Sequence, residues 1–113
     1  MHICFENIEP TRLDHFKGGD GFVQAAMYQD AGVKIMRGTL APGHSIGLHT
    51  HTTSSEIIYI LSGTATLQYD DTTETVTPGQ CHYCPRGHTH AMYNKGDTDL
   101  CFFAVVPELE VQP

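Results

Sequence analysis

Residues 43–63 read GHSIGLHTHTTSSEIIYILSG. Three side chains in this stretch carry its meaning: His49, His51 and Glu56. In an extended strand, residues i and i+2 project to one face. His49 and His51 therefore aim two imidazoles at one point, and Glu56 joins them if the chain folds back over Thr52–Ser55. The run Glu56–Ser62 is dense in β-branched and aromatic residues and stops at Gly63, which reads as a strand. Further on, Gly79, Pro85 and Gly87 frame the approach to His90, a fourth candidate ligand. Three neutral imidazoles and one carboxylate suit a borderline divalent metal such as Mn, Fe, Co, Ni, Cu or Zn.

Short strand-like runs extend in both directions from this stretch. Phe22–Gln29 and Val33–Leu40 flank the turn Asp30-Ala31-Gly32. Thr64–Tyr69 turns at Asp70-Asp71 into Thr72–Thr77. Gln80–Cys84, His90–Asn94 and Leu100–Val106 follow, each closed by Gly, Pro or Asp. Helical periodicity is poor throughout. Strands with turn signals every 8–12 residues or so predict an all-β antiparallel sandwich or barrel.

Ile57–Leu61 and Leu100–Val106 are apolar on both parities. A strand buried on one face only should alternate. The second apolar face needs cover, and a homodimer is the expected source in so small a domain. Met1–Ile8 is a candidate exchanged or edge strand. The tail Pro107–Pro113 is expected to be loosely held.

The whole chain, residues 1–113, is expected to be one domain. Its hydrophobic fraction of 40% suits a packed core. Its formal charge is −7, and its few basic residues do not cluster, so no nucleic-acid partner is expected. No long apolar run predicts a membrane span, and the start has no cationic stretch leading into an apolar core. A cytoplasmic location follows as the expectation. Four cysteines, at 4, 81, 84 and 101, then read as thiols in a reducing compartment. Cys81 and Cys84 have redox-motif spacing. On a strand, residues three apart face opposite ways, so they are not expected to pair.

The spacing Gly43-x5-His49-x-His51-x4-Glu56-x6-Gly63, followed by Gly79-x5-Pro85-x-Gly87-x2-His90-x3-Asn94, resembles both signature motifs of the cupin superfamily. The first motif spans 43–63 and the second 79–94. This resemblance implies a jelly-roll β-barrel (a double-stranded β-helix) of six to eight strands. It also implies one divalent metal per chain inside the barrel, held by His49, His51, Glu56 and His90. The motif glycines stand at strand ends, where tight turns call for positive φ.

Strand parity nominates further pocket residues. Ile58 and Ile60 share a face with Glu56, and Met92 shares one with His90. His82 lies on the strand entering the second motif, while His44 and His88 lie in turns. Each of these three histidines is a candidate proton shuttle, although a structural role is the simpler reading. Four protein ligands leave coordination positions open for a small-molecule ligand. Two functions fit. One is a metalloenzyme acting on a small carboxylate or carbonyl compound, of dioxygenase, decarboxylase, lyase or isomerase type. The other is a non-catalytic ligand-binding or sensor protein. No residue is nominated as catalytic.

Overall fold

The computed structural model describes residues 1–110. Among the described residues, ten strands and two short 3-10 turns follow each other. The strands are β1 (Thr11–Asp14), β2 (Phe22–Gln29), β3 (Val33–Leu40), β4 (Ser45–Thr50), β5 (Glu56–Ser62), β6 (Ala65–Tyr69), β7 (Thr72–Val76), β8 (Cys81–Cys84), β9 (Thr89–Tyr93) and β10 (Leu100–Pro107). One sheet runs β1-β2-β3-β10-β5-β8 and the other β4-β9-β6-β7. All pairings are antiparallel. The two sheets close on one interior as a jelly roll. The expected range of six to eight strands falls short because β1 pairs along β2 at one edge and the second sheet is complete at four strands.

Alternation fills the interior. On β10, Leu100, Phe102 and Ala104 are buried while Cys101, Phe103 and Val105 are partly exposed on the other face. On β5, Glu56, Ile58 and Ile60 point in, and Ile57, Tyr59 and Leu61 point out. Each buried Leu, Ile or Phe contributes roughly 1.5–3 kcal/mol by leaving water. The outer apolar face is only partly covered: Phe5 packs edge-on against Phe103, with ring centroids 5.4 Å apart. The segment supplying Phe5 forms a 3-10 turn at Phe5–Asn7, where Met1–Ile8 was a candidate exchanged or edge strand.

The four motif glycines Gly43, Gly63, Gly79 and Gly87 all have positive φ, between 82° and 89°. The segment after β10 is more tightly held than its composition suggests. Glu108 bridges Ser54, and the Leu109 amide donates to the Thr53 carbonyl at 3.0 Å. The rest of the expected loose tail, residues 111–113, lies outside the described residues. The four cysteines are free, with Cys81 exposed and Cys84 buried on opposite faces of β8.

The register of β4 against β9 decides where the site can form. Ile46 pairs with Met92 and His49 with His90, so β4 spends three steps where β9 spends two. This is a β-bulge. The extra residue inverts the side-chain alternation. Ile46 and His49 are an odd number of residues apart, yet both face the interior cavity.

Candidate metal centre

The site is assembled across the gap between the two sheets. β4 supplies His49, and His51 follows it in the loop. β9 supplies His90. β5, in the opposite sheet, supplies Glu56. Pro85, Arg86 and Gly87 form the turn that carries the chain from β8 into β9, and the amide of Gly87 donates to the His51 carbonyl. That contact holds the His51 loop against the strand bearing His90.

One donor atom from each of His49, His51, Glu56 and His90 lies within 4.8 Å of the others. His51 Nε2 is 2.9 Å from His90 Nε2 and 3.0 Å from Glu56 Oε1. His90 Nε2 is 3.1 Å from His49 Nε2 and 3.0 Å from Glu56 Oε1. His49 Nε2 stands 3.9 Å from the same carboxylate oxygen. His51, Glu56 and His90 are buried, and His49 is half-buried.

The far side of each ring shows which nitrogens are free to bind a cation. His49 Nδ1 lies 2.7 Å from the Gly47 carbonyl, which only accepts, so Nδ1 carries the proton. In the neutral ring, Nε2 then presents its lone pair. His51 Nδ1 is 2.9 Å from Ser54 Oγ. His90 Nδ1 is 3.0 Å from His82 Nε2, and His82 Nδ1 is 2.8 Å from Glu74 Oε1. The Glu74 carboxylate accepts from His82 Nδ1. His82 Nε2 therefore accepts from His90 Nδ1, and the lone pair of His90 Nε2 points at the cluster. Lone pairs and a carboxylate oxygen aimed at one point repel unless a cation lies between them. The donor set fits a divalent metal, and the backing contacts of His49 and His90 fix the ring tautomers such a ligand set needs.

Protonation favours the same arrangement. Burial would raise the Glu56 carboxyl, but contacts with His49, His51 and His90 prevail and hold it well below the usual range. Burial lowers the His90 imidazole, against the opposing pull of Glu56. An anionic carboxylate and a neutral imidazole are the ligand-competent forms. His82, Cys84 and His90 also approach one another. Burial pushes the Cys84 thiol up to about 11, though, which leaves it protonated, and the two imidazoles already bond to each other.

A cavity of about 460 Å³ opens over the cluster. Ile58 and Met92 line it, together with Met36 and Ile46. Ile60 shares the parity of Ile58 but lies one step deeper, in solid core at 0% exposure, and is not in the lining. His82 is also absent from the lining, because it sits behind His90. His44 contacts the backbone of Phe22, and His88 contacts Asp70 at 2.6 Å; neither reaches the cavity. Glu74 went unnoticed in the sequence. Its signal was an acidic residue on the same parity as buried Val76 in β7.

The chain belongs to the cupin domain family, whose model matches residues 36–106. A relative named oxalate-binding protein, from Thermotoga maritima, is 34% identical over 113 residues, covering 94% of this chain and 93% of that one. A crystal structure of a predicted oxalate decarboxylase from the same organism superposes with a TM-score of 0.90 at 31% identity, covering 96% of this chain and all of that one. Germin-like protein 1 of Brassica napus is 31% identical over 101 residues, and the match spans 80% of this chain but about half, 49%, of that longer relative.

Proposed function

We propose that this protein binds a small dicarboxylate of the oxalate class at one divalent transition metal held by His49, His51, Glu56 and His90. The convergence of those four donors on one point at the floor of an open cavity carries this reading. When bound, such a metal supplies Lewis acidity toward carboxylate oxygens. The residues of the chain do the rest. His49, His51 and His90 present neutral nitrogens, and Glu56 reduces the charge of a divalent centre from +2 to +1. The remaining positive charge attracts an anion. Ile46, Ile58 and Met92 exclude water from the cavity wall and limit the ligand to a compact one. The Thermotoga relative named for oxalate binding supports the choice of ligand.

Turnover is the second reading, favoured by the same open side of the cluster. Both readings are tested in one experiment. Protein freed of metal is reloaded with Mn(II), Co(II) or Zn(II), and oxalate binding is followed by calorimetry while carbon dioxide and formate are assayed. Binding that depends on metal supports the proposal. Product release would make the protein an enzyme, and absence of binding with every metal would refute the dicarboxylate reading.

The same reading includes a homodimer. Ile57, Tyr59, Leu61 and Tyr83 are 38%, 44%, 42% and 55% exposed on one outer sheet face, a contiguous apolar surface that a second copy would cover. Sedimentation should give twice the monomer mass at micromolar concentration, and Tyr59→Glu should shift it to monomer. A wild-type monomer would contradict this. A cytoplasmic location is also proposed, supported by four free thiols. No helix among the described residues is long and apolar enough to cross a membrane. Fractionation of the protein with exported markers would overturn the location.

A further inference from the structure

The chain has only six Lys and Arg residues, and two of them, Lys17 and Lys34, line the metal-site cavity. Both gather about the ring of Phe16, with their ammonium nitrogens 5.4 Å and 5.5 Å from its centroid. Among the described residues, neither forms an ion pair. The cavity also contains Asp30 and Glu108, but these carboxylates are engaged elsewhere. Asp30 accepts from the Tyr28 hydroxyl and the amides of Gly32 and Val33. Glu108 accepts from Thr53 and the amide of Glu110. Two cations without an ion-pair partner thus share one aromatic ring in the cavity that holds the four-donor cluster. Burial lowers the Lys34 pKa, with Glu56 opposing that shift and Lys17 adding to it.

The position of Lys17 is built. Its backbone lies in the left-handed region at φ 56°, as does that of His15 at φ 48°. Side-chain-bearing residues occupy that region rarely and at a cost, which is characteristic of functional segments. The strap His15–Gly19, which includes the 3-10 turn Phe16–Gly18, is pressed onto β4 at the bulge that aims His49. A β-carbon on Gly47 would lie 2.1 Å from the Lys17 carbonyl oxygen, and one on Gly19 would lie 2.2 Å from that of Ser45. The Asp20 amide donates to Ser45 Oγ at 2.8 Å. Only glycine at 47 lets the strap come this close to the strand that carries a ligand.

We propose that Lys17 and Lys34, gathered about Phe16 beside the four-donor cluster, recognise the carboxylate oxygens of a small dicarboxylate that face away from the metal, and so select dianions over monoanions. This rests on the metal-centred reading above. A dicarboxylate bound at a +1 centre keeps net negative charge on its outer oxygens, and two ammonium groups supply donors and charge for them. Phe16 offers its ring face to both ammonium groups.

The test compares oxalate with oxamate, its monoanionic amide of nearly the same size, by calorimetry on Mn(II)-loaded protein. Lys17→Met and Lys34→Met should each weaken oxalate binding about tenfold, the loss expected for one charge-assisted contact. Oxamate should weaken less than about threefold. Lys34→Arg should recover most of the loss, and Mn(II) affinity, measured without oxalate, should not fall in any variant. If the wild type binds oxalate and the lysine variants bind it equally well, or lose oxalate and oxamate alike, the clamp is wrong and the metal-centred reading stands. If the wild type binds neither anion, both fall.

Discussion

Glu56 and Ile60 point into the same barrel from the same strand, four residues apart, into opposite surroundings. Around Ile60 the interior is closed and apolar: Val23, Leu40, Ala65, Leu100 and Phe102 are all at 0% exposure. Around Glu56 it is polar and open, with three histidines and a cavity of about 460 Å³. Ile58, between them, belongs to both, since it is core on one side and cavity wall on the other. The barrel therefore separates what holds it together from what acts. An apolar plug resists unfolding without any chemistry, which leaves the other end free to concentrate polar groups that would be costly to bury unpaired. At the open end, donor atoms of His49, His51, Glu56 and His90 lie within 4.8 Å of one another, where a single cation would satisfy them together.

The division should be sharpest in substitutions that strike one end only. Phe102→Ala, in the apolar plug, should cost roughly 3–5 kcal/mol of folding stability through the lost transfer energy and the cavity left behind. Denaturant unfolding of the metal-free protein measures this. A loss below about 1 kcal/mol would mean that the plug is not what holds the barrel.

Glu74 lies on the functional side of the division, behind the site. Glu74→Ala removes the acceptor that orients His82 and, through it, His90. Metal affinity should fall by about 10–100-fold, the usual effect of losing a contact that orients a ligand, while stability changes little. A metal titration with a competing chelator reads the shift. Unaltered affinity would show that the Glu74–His82–His90 chain does not steer the metal ligand.

The smallest effect belongs to the thiols of β8. Cys81 is exposed, while Cys84 is buried with its thiol pushed up to about 11. At pH 8 a maleimide reagent should label Cys81 and leave Cys84 intact until the protein unfolds. Equal labelling of both in the native state, read by peptide mass spectrometry, would place Cys84 outside the closed interior.

Much of this division could be read in the sequence, and the exceptions have a common cause. β2, β3 and β5 fall on the expected residues because alternation and bounding turn residues are local signals. The spacing of His49, His51, Glu56 and His90 was equally plain. The bulge in β4 was less plain, because Gly47 inside the strand is its one local sign and a glycine alone does not fix where the alternation inverts. Parity also assigned Ile60 to the pocket, and the place of His82 on the strand entering the second motif made it a candidate there. Parity fixes which face a side chain takes, but not how deep it sits or what stands in front of it. Glu74, Lys17 and Lys34 reach the site from strands and turns far along the chain, so only the closed barrel brings them near. Phe16 and Lys17 in particular lie on a strap held by glycine contacts that no periodicity encodes.

The central claim is that His49, His51, Glu56 and His90 form one metal site that the apolar plug supports but does not depend on. The most direct test titrates metal-free protein with Mn(II) or Zn(II) and repeats the titration on a His49→Ala/His51→Ala double variant, with circular dichroism on both. The wild type should take up one metal per chain. The variant should keep the strand spectrum and lose at least a hundredfold in affinity. Stoichiometric uptake of equal affinity by the variant would contradict the assignment.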